Sequence, residues 1–139
     1  GDSYLPENGT KKGIYLKMHG RKLYQYALNH VPRAIQACLN KSGIPLSDIK
    51  KVLIHQANGK MDDAILNRLY KIEGDLPVPF DVMPMTISWL GNSSVATIPT
   101  LLDLILKNEL DGHQIKKGDK IIFASVGAGM NINAMIYQV

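Results

Sequence analysis

Apolar residues along the chain switch between short unbroken runs and a spacing of three or four. From Arg21 to about Ser42, residues Leu23, Tyr26, Ala27, Ala34, Ile35, Cys38 and Leu39 keep the helical interval and predict a long helix. Pro32 removes one N–H and crowds the preceding turn, so a kink or split is expected there. Ser42 and Gly43 end this helix, and "IPLSDIK" reads as a turn. "KVLIH" (Lys51 to His55) has no polar alternation, the pattern of a strand buried on both faces in a parallel sheet. Asn58 can cap a helix to about Ile72, with Met61, Ala64, Ile65 and Leu69 on one face and Arg68 as its polar exception. The Pro-rich stretch Glu73 to Pro84 is a connection, and "MTISWLG" (Met85 to Gly91) is the next strand candidate.

Asn92, Ser93 or Ser94 can cap a further helix to about Asn108, with Val95, Ile98, Leu101, Leu102 and Ile105 at helical intervals. Pro99 is tolerable only near its first turn. "KIIFASV" is a strand, "GAG" a tight turn, and "NINAMIYQV" a strand able to return antiparallel. With "IYLKMHG" (Ile14 to Gly20) as the first strand, the order is β-α-β-α-β-α-β-β. Helices alternating with apolar strands give an α/β layered fold with a mainly parallel, mixed sheet. Residues 1–13 form a polar, irregular lead-in to one domain over 14–139, and the chain opens as a fragment would.

Composition narrows the function classes. The chain has 139 residues, 45% apolar and 20% charged, which suits a globular domain. No apolar run approaches the roughly 20 residues that span a bilayer, and no signal peptide opens the chain, so no membrane role is expected. One cysteine excludes an internal disulfide framework, and a cytoplasmic setting is the default. His19, His30, His55, His113 and Cys38 lack zinc-type spacing, so no metal is expected. The net charge of +4 allows an acidic partner, but no Lys/Arg block points to nucleic acid.

Three polar or glycine-rich sites follow three strand candidates: His55 to Asn58, Gly91 to Ser94, and Gly127 to Gly129. In α/β sheets ligands bind beyond the carboxyl ends of strands. His and Asn side chains there can both donate to one oxygen, while a Gly–Ala–Gly turn leaves backbone N–H groups open to a second. That equipment suits a developing oxyanion or enolate.

"HQAN" (His55 to Asn58), "GNSSVATIP" (Gly91 to Pro99), "GAGMNINAMIY" (Gly127 to Tyr137) and the upstream "MHGRKLYQYA" together resemble the C-terminal half of a beta-ketoacyl-acyl-carrier-protein synthase III. The resemblance runs from about Ile14 to Val139. It implies the thiolase-like fold, two similar halves packed in five layers. It also implies a decarboxylative condensation of an acyl-CoA with malonyl-acyl-carrier protein in fatty acid biosynthesis.

By this resemblance His55 and Asn92 donate to the malonyl thioester carbonyl and stabilise the enolate. The N–H of Ala128 contributes to the oxyanion hole. Gly20, Asn58, Gly127 and Gly129 lie along the pantetheine path, and Lys60 docks the acidic carrier protein. No cofactor is implied beyond the coenzyme A and phosphopantetheine thioester substrates. The nucleophilic cysteine belongs to an N-terminal half, so the chain alone is expected to be inactive. Expected partners are acyl-CoA, acyl carrier protein and that N-terminal half, with a homodimer for the intact enzyme and self-association for the isolated half. The alternatives are a catalytically dead carrier-binding module and a thiolase-fold acyltransferase with another acceptor. A papain-like hydrolase would use Cys38, His55 and Asn92, but Cys38 sits mid-helix in register with apolar residues, as a buried structural thiol would.

Overall fold

The computed structural model describes residues 19–139. Residues 1–13 and most of the first strand candidate lie outside the described residues, and Gly20, its last residue, instead opens helix α1 (Gly20–Ser42). The order continues β1 (Ile49–Ile54), α2 (Gly59–Ile72), α3 (Ile87–Leu90), α4 (Thr97–Leu106), β2 (Lys120–Gly127) and β3 (Asn131–Gln138). The β-α-β-α-β-α-β-β expectation is therefore corrected at its third strand, where a helix stands. The described strands form one mixed sheet in the order β1-β2-β3, with β1 parallel to β2 and β3 antiparallel to it.

The strand periodicity sorts the sheet into two faces. Val52, Ile54, Ile122 and Ala124, with Ile132, Ala134 and Ile136, pack under Val31, Ile35 and Leu39 of α1 and Ile65 and Leu69 of α2. Leu53 and Phe123 face the other way, toward Leu101 and Ile105 of α4. The result is a three-layer α/β/α arrangement.

Pro32 does not split α1, which runs unbroken through it. Its ring is buried beside Val31, so packing of the apolar stripe offsets the lost hydrogen bond. Gly43 ends the helix in the left-handed conformation at φ 68°. The packed face of α2 is Ile65, Leu66, Leu69 and Tyr70, together with Asp62, while Arg68 is exposed. None of Asn92, Ser93 and Ser94 caps α4: Ala96 stands at its N-cap, a 3-10 turn, Ser94–Ala96, precedes it and Pro99 falls in its first turn.

The connection from Glu73 to Pro84 runs along the outer edge of β1, where Val82 O accepts the Val52 N–H at 2.8 Å and Val82 and Met83 are buried. This covers an edge that would otherwise be open. It also brings Asp81 to Lys51, a strand lysine with no exposed surface. The Lys51 ammonium donates to the Asp81 backbone carbonyl and to Asp81 Oδ2 at 3.0 Å. That hydrogen bond holds the Asp81 carboxyl below its ordinary range. Its stabilisation is present above the unfolded carboxylate value and is lost as pH falls through the lowered one. Asp81 is half-exposed, which screens the pair. Asp81→Ala leaves a buried charge with one partner and is expected to cost about 2 kcal/mol in urea unfolding at pH 7. Lys51→Met removes that charge and should cost less; the reverse order would refute this account.

Some apolar surface is left uncovered. Val95 is 94% exposed and Leu106 is 56% exposed at the two ends of the α4 region, with Met135 and Tyr137 exposed on β3. Uncovered apolar surface of this kind drives association. Sedimentation should show concentration-dependent self-association that Val95→Ser and Leu106→Glu together reduce; a monomer at high concentration would contradict it. Among the described residues no helix is long and apolar enough to cross a membrane.

Candidate active site

The β1–β2 ladder runs one bond past β1, from His55 N–H to Ala124 O at 2.9 Å. His55 therefore stands at the carboxyl end of a buried parallel strand. On the neighbouring strand the ladder partner of Ile54 is Ala124, and β2 continues to Gly127. The turn Ala128–Met130 at its tip thus projects about 10 Å beyond the His55 level at the same sheet edge, taking roughly 3.3 Å per residue. Gly129 is left-handed at φ 74°, and an added Cβ would meet the Asn131 side chain at 3.4 Å, so this position favours glycine. Ala128 opens the 3-10 turn.

Asn92 does not follow a strand. Residues Ile87–Leu90 form the short helix α3, whose Trp89 and Leu90 are exposed. The apolar run Met85 to Leu90 offered a strand pattern, but the N–H groups of Thr86 and Ile87 are taken by the buried side chain of Gln56, and no ladder forms. Asn92 nevertheless reaches the site through Ser94. Asn92 Oδ1 accepts the Ser94 N–H at 2.8 Å, and Ser94 O lies 3.2 Å from His55 Nδ1.

These two bonds fix the chemistry that each side chain presents. The Ser94 N–H can only meet an oxygen, so the Asn92 amide turns its Nδ2 donors elsewhere. A carbonyl at Nδ1 requires a proton there, which leaves Nε2 as the free atom of His55. Ser94 itself is left-handed, φ 52°, an uncommon conformation for a serine. Strain of this type is held where surrounding contacts over-determine it. The sequence points to Ser94 only as a cap candidate and to Gln56 only as a member of "HQAN", and to neither as a partner of the site. A serine carbonyl carries no side-chain signal, and a glutamine inside "HQAN" reads as polar surface until its burial is seen.

The remaining residues separate. Asn58 is the N-cap of α2, its Oδ1 accepting the Lys60 N–H at 3.0 Å. Lys60 is exposed in the first turn of α2. Gly20 is exposed at the start of α1, and an added Cβ would meet nothing within 4 Å. Cys38 is half-buried rather than fully buried, and its thiol faces Ala134 O of β3 at 3.8 Å. It sits mid-helix against the sheet, while His55 is engaged with Ser94, so no Cys–His pair forms between them. Tyr26 stacks on His30 with ring centroids 3.9 Å apart. His113 is half-buried, and burial, aided by Lys51, holds it below the ordinary imidazole range. It lines a cavity of about 510 Å³ with Lys50 and Asp119, at the amino ends of the strands and away from His55.

The 3-Oxoacyl-[acyl-carrier-protein (ACP)] synthase III C terminal family matches residues 39–139. The chain is 36% identical over 134 residues to the Beta-ketoacyl-[acyl-carrier-protein] synthase III of Acaryochloris marina, covering 95% of this chain and 37% of that protein. It is 34% identical over 130 residues to the synthase III of Latilactobacillus sakei, covering 93% of this chain and 36% of that protein. The crystal structure of the synthase III of Thermus thermophilus superposes with a TM-score of 0.76 at 27% identity, over 97% of this chain and 38% of that one. The chain thus spans little more than a third of the length of these relatives. On the sequence match, the shared fold and the ordered motifs at one sheet edge, the chain belongs to the C-terminal family of the beta-ketoacyl-acyl-carrier-protein synthases III, within the thiolase-like condensing enzymes.

Proposed function

We propose that this chain supplies the His–Asn half of a decarboxylative condensing site and, without an N-terminal half bearing the nucleophilic cysteine, is inactive in condensation. The observation that supports this most is the shared contact through Ser94, which holds His55 and Asn92 together with Nε2 and Nδ2 left to face a ligand.

The cysteine sulfur attacks the acyl-CoA carbonyl, coenzyme A leaves as its thiolate, and the thiol proton passes to His55 Nε2, making the ring doubly protonated. Malonyl-acyl-carrier protein then loses carbon dioxide, and the electron pair of the broken C–C bond forms an enolate on the thioester. Its oxygen receives hydrogen bonds from His55 Nε2–H and Asn92 Nδ2–H. The enolate carbon attacks the acyl-cysteine carbonyl, whose oxyanion accepts a hydrogen bond from the Ala128 N–H; the intermediate then collapses, expelling the cysteine thiolate, which regains its proton from His55 Nε2. Gly20, Asn58, Gly127 and Gly129 border the pantetheine arm, and Lys60 meets the acidic carrier protein. The intact enzyme is a homodimer in this reading.

The test joins this chain to the N-terminal portion of the Acaryochloris synthase and measures labelled carbon dioxide released from malonyl-acyl-carrier protein. His55→Ala and Asn92→Ala should each abolish most of it with folding intact. Carrier binding without release in the parent fusion would favour the dead binding module.

A further inference from the structure

Gln56 follows His55 directly and has no exposed surface. Its Oε1 accepts from Thr86 N at 2.9 Å and Ile87 N at 3.0 Å, with Thr86 Oγ1 at 3.4 Å. Its Nε2 donates to Pro84 O at 2.9 Å. One side chain thus uses both ends of its amide on a single segment, Pro84 to Ile87, about thirty residues away in sequence. That segment leads rigidly into the Asn92 loop: Thr86 O accepts from Trp89 and Leu90, and Ile87 O accepts from Gly91. Asn92 then binds Ser94 N, and Ser94 O meets His55. The hydrogen bonds therefore close a circuit that starts at Gln56 and returns to its chain neighbour.

We propose that Gln56 is the positioning residue of this site: its buried amide ties Pro84–Ile87 to the end of β1 and so sets where Asn92 and Ser94 stand against His55. The functional weight of this rests on the condensing-site reading, but the tether itself does not. A nonpolar side chain of equal length would leave the Thr86 and Ile87 N–H groups and the Pro84 carbonyl without partners in a buried place. The segment must then move to find water, and the Asn92 loop moves with it. The Ser94 carbonyl no longer holds His55 in its Nδ1–H form.

The test is heteronuclear NMR on the 139-residue chain. In the unaltered protein the His55 ring nitrogens should report the Nδ1–H tautomer when the ring is neutral. Gln56→Met should shift the Ser94 backbone and Asn92 side-chain amides and let the neutral ring populate both tautomers, while β2 and β3 amides stay in place. A role in stability alone would lower the melting temperature and leave the His55 tautomer and the Asn92 and Ser94 signals unmoved, which overturns the proposal. If Gln56→Met does not fold, Gln56→Glu decides. Its neutral acid reproduces both the acceptor and the donor, and ionisation removes the donor to Pro84 O. Asn92 and Ser94 signals should match the unaltered chain below that titration and depart above it; signals that never depart overturn the tether. Activity enters nowhere, so failure of the condensing reading would leave this result legible. Failure of the tether would likewise leave the carbon dioxide assay to judge His55 and Asn92.

Discussion

Asp62→Asn is expected to stabilise the protein at pH 8 by about 4 kcal/mol and to leave it unchanged near pH 4. Asp62 lies in the first turn of α2 with no exposed surface, and neither carboxylate oxygen has a hydrogen-bond partner. An acid at a helix start is normally favoured by the dipole. Here burial is the larger effect, with adjacent Asp63 adding to it, and the carboxyl is raised from 3.8 to about 7. A raised carboxyl value means that the folded state prefers the proton. Below the unfolded value both states hold it and nothing is lost. As pH rises from the unfolded value toward about 7 the unfolded chain gives up the proton that the folded one keeps, so stability falls; above about 7 both are ionised and the loss is complete. The difference of about three units corresponds to roughly 4 kcal/mol at about 1.4 kcal/mol per unit. Asparagine keeps the shape and removes the ionisation. Urea unfolding of both proteins from pH 4 to 8 checks this. A gap that does not grow with pH would mean that the Asp62 charge has a partner and that the burial account is wrong.

In the synthase fusion, His55→Ala and Asn92→Ala are each expected to slow decarboxylation by about a hundredfold or more, as loss of one oxyanion donor does elsewhere. The two should not add, since in the proposed mechanism both donate to one oxygen and both contact Ser94. The tautomer sharpens the expectation. With Nδ1–H given to the Ser94 carbonyl, a neutral ring offers only a lone pair at Nε2. Donation to the enolate therefore needs the second proton. Asn92→Asp tests the other arm: an ionised carboxylate can still accept the Ser94 N–H but cannot donate, so folding should survive while carbon dioxide release is lost. Full rates in these variants would remove both residues from the chemistry, and the carrier-binding reading would stand in their place.

Much of the molecule was legible in local pattern. β1, α2, β2 and β3 follow from the unbroken apolar run before His55, the Asn58 cap, and two apolar strands around a glycine turn. Each is decided by residues within a few positions of one another, so the expectation and the structure agree. The motifs likewise placed His55 and the Gly127–Gly129 turn at the ends of neighbouring strands, while Asn92 comes to His55 from a helix–loop segment through Ser94. The sequence by itself determined the family, its α/β layered fold and which residues are candidates for its chemistry. Tertiary structure alone decided the rest. Met85 to Leu90 suits a strand as well as a helix, and the buried Gln56 amide selects the helix by taking the N–H groups that a ladder would use. Pro32 stays inside α1 because its neighbours pack against the sheet. Asp62 becomes a strained acid only because its face of α2 is covered. These outcomes turn on which partner comes within hydrogen-bonding or packing distance, and a partner thirty residues away leaves no mark on local periodicity.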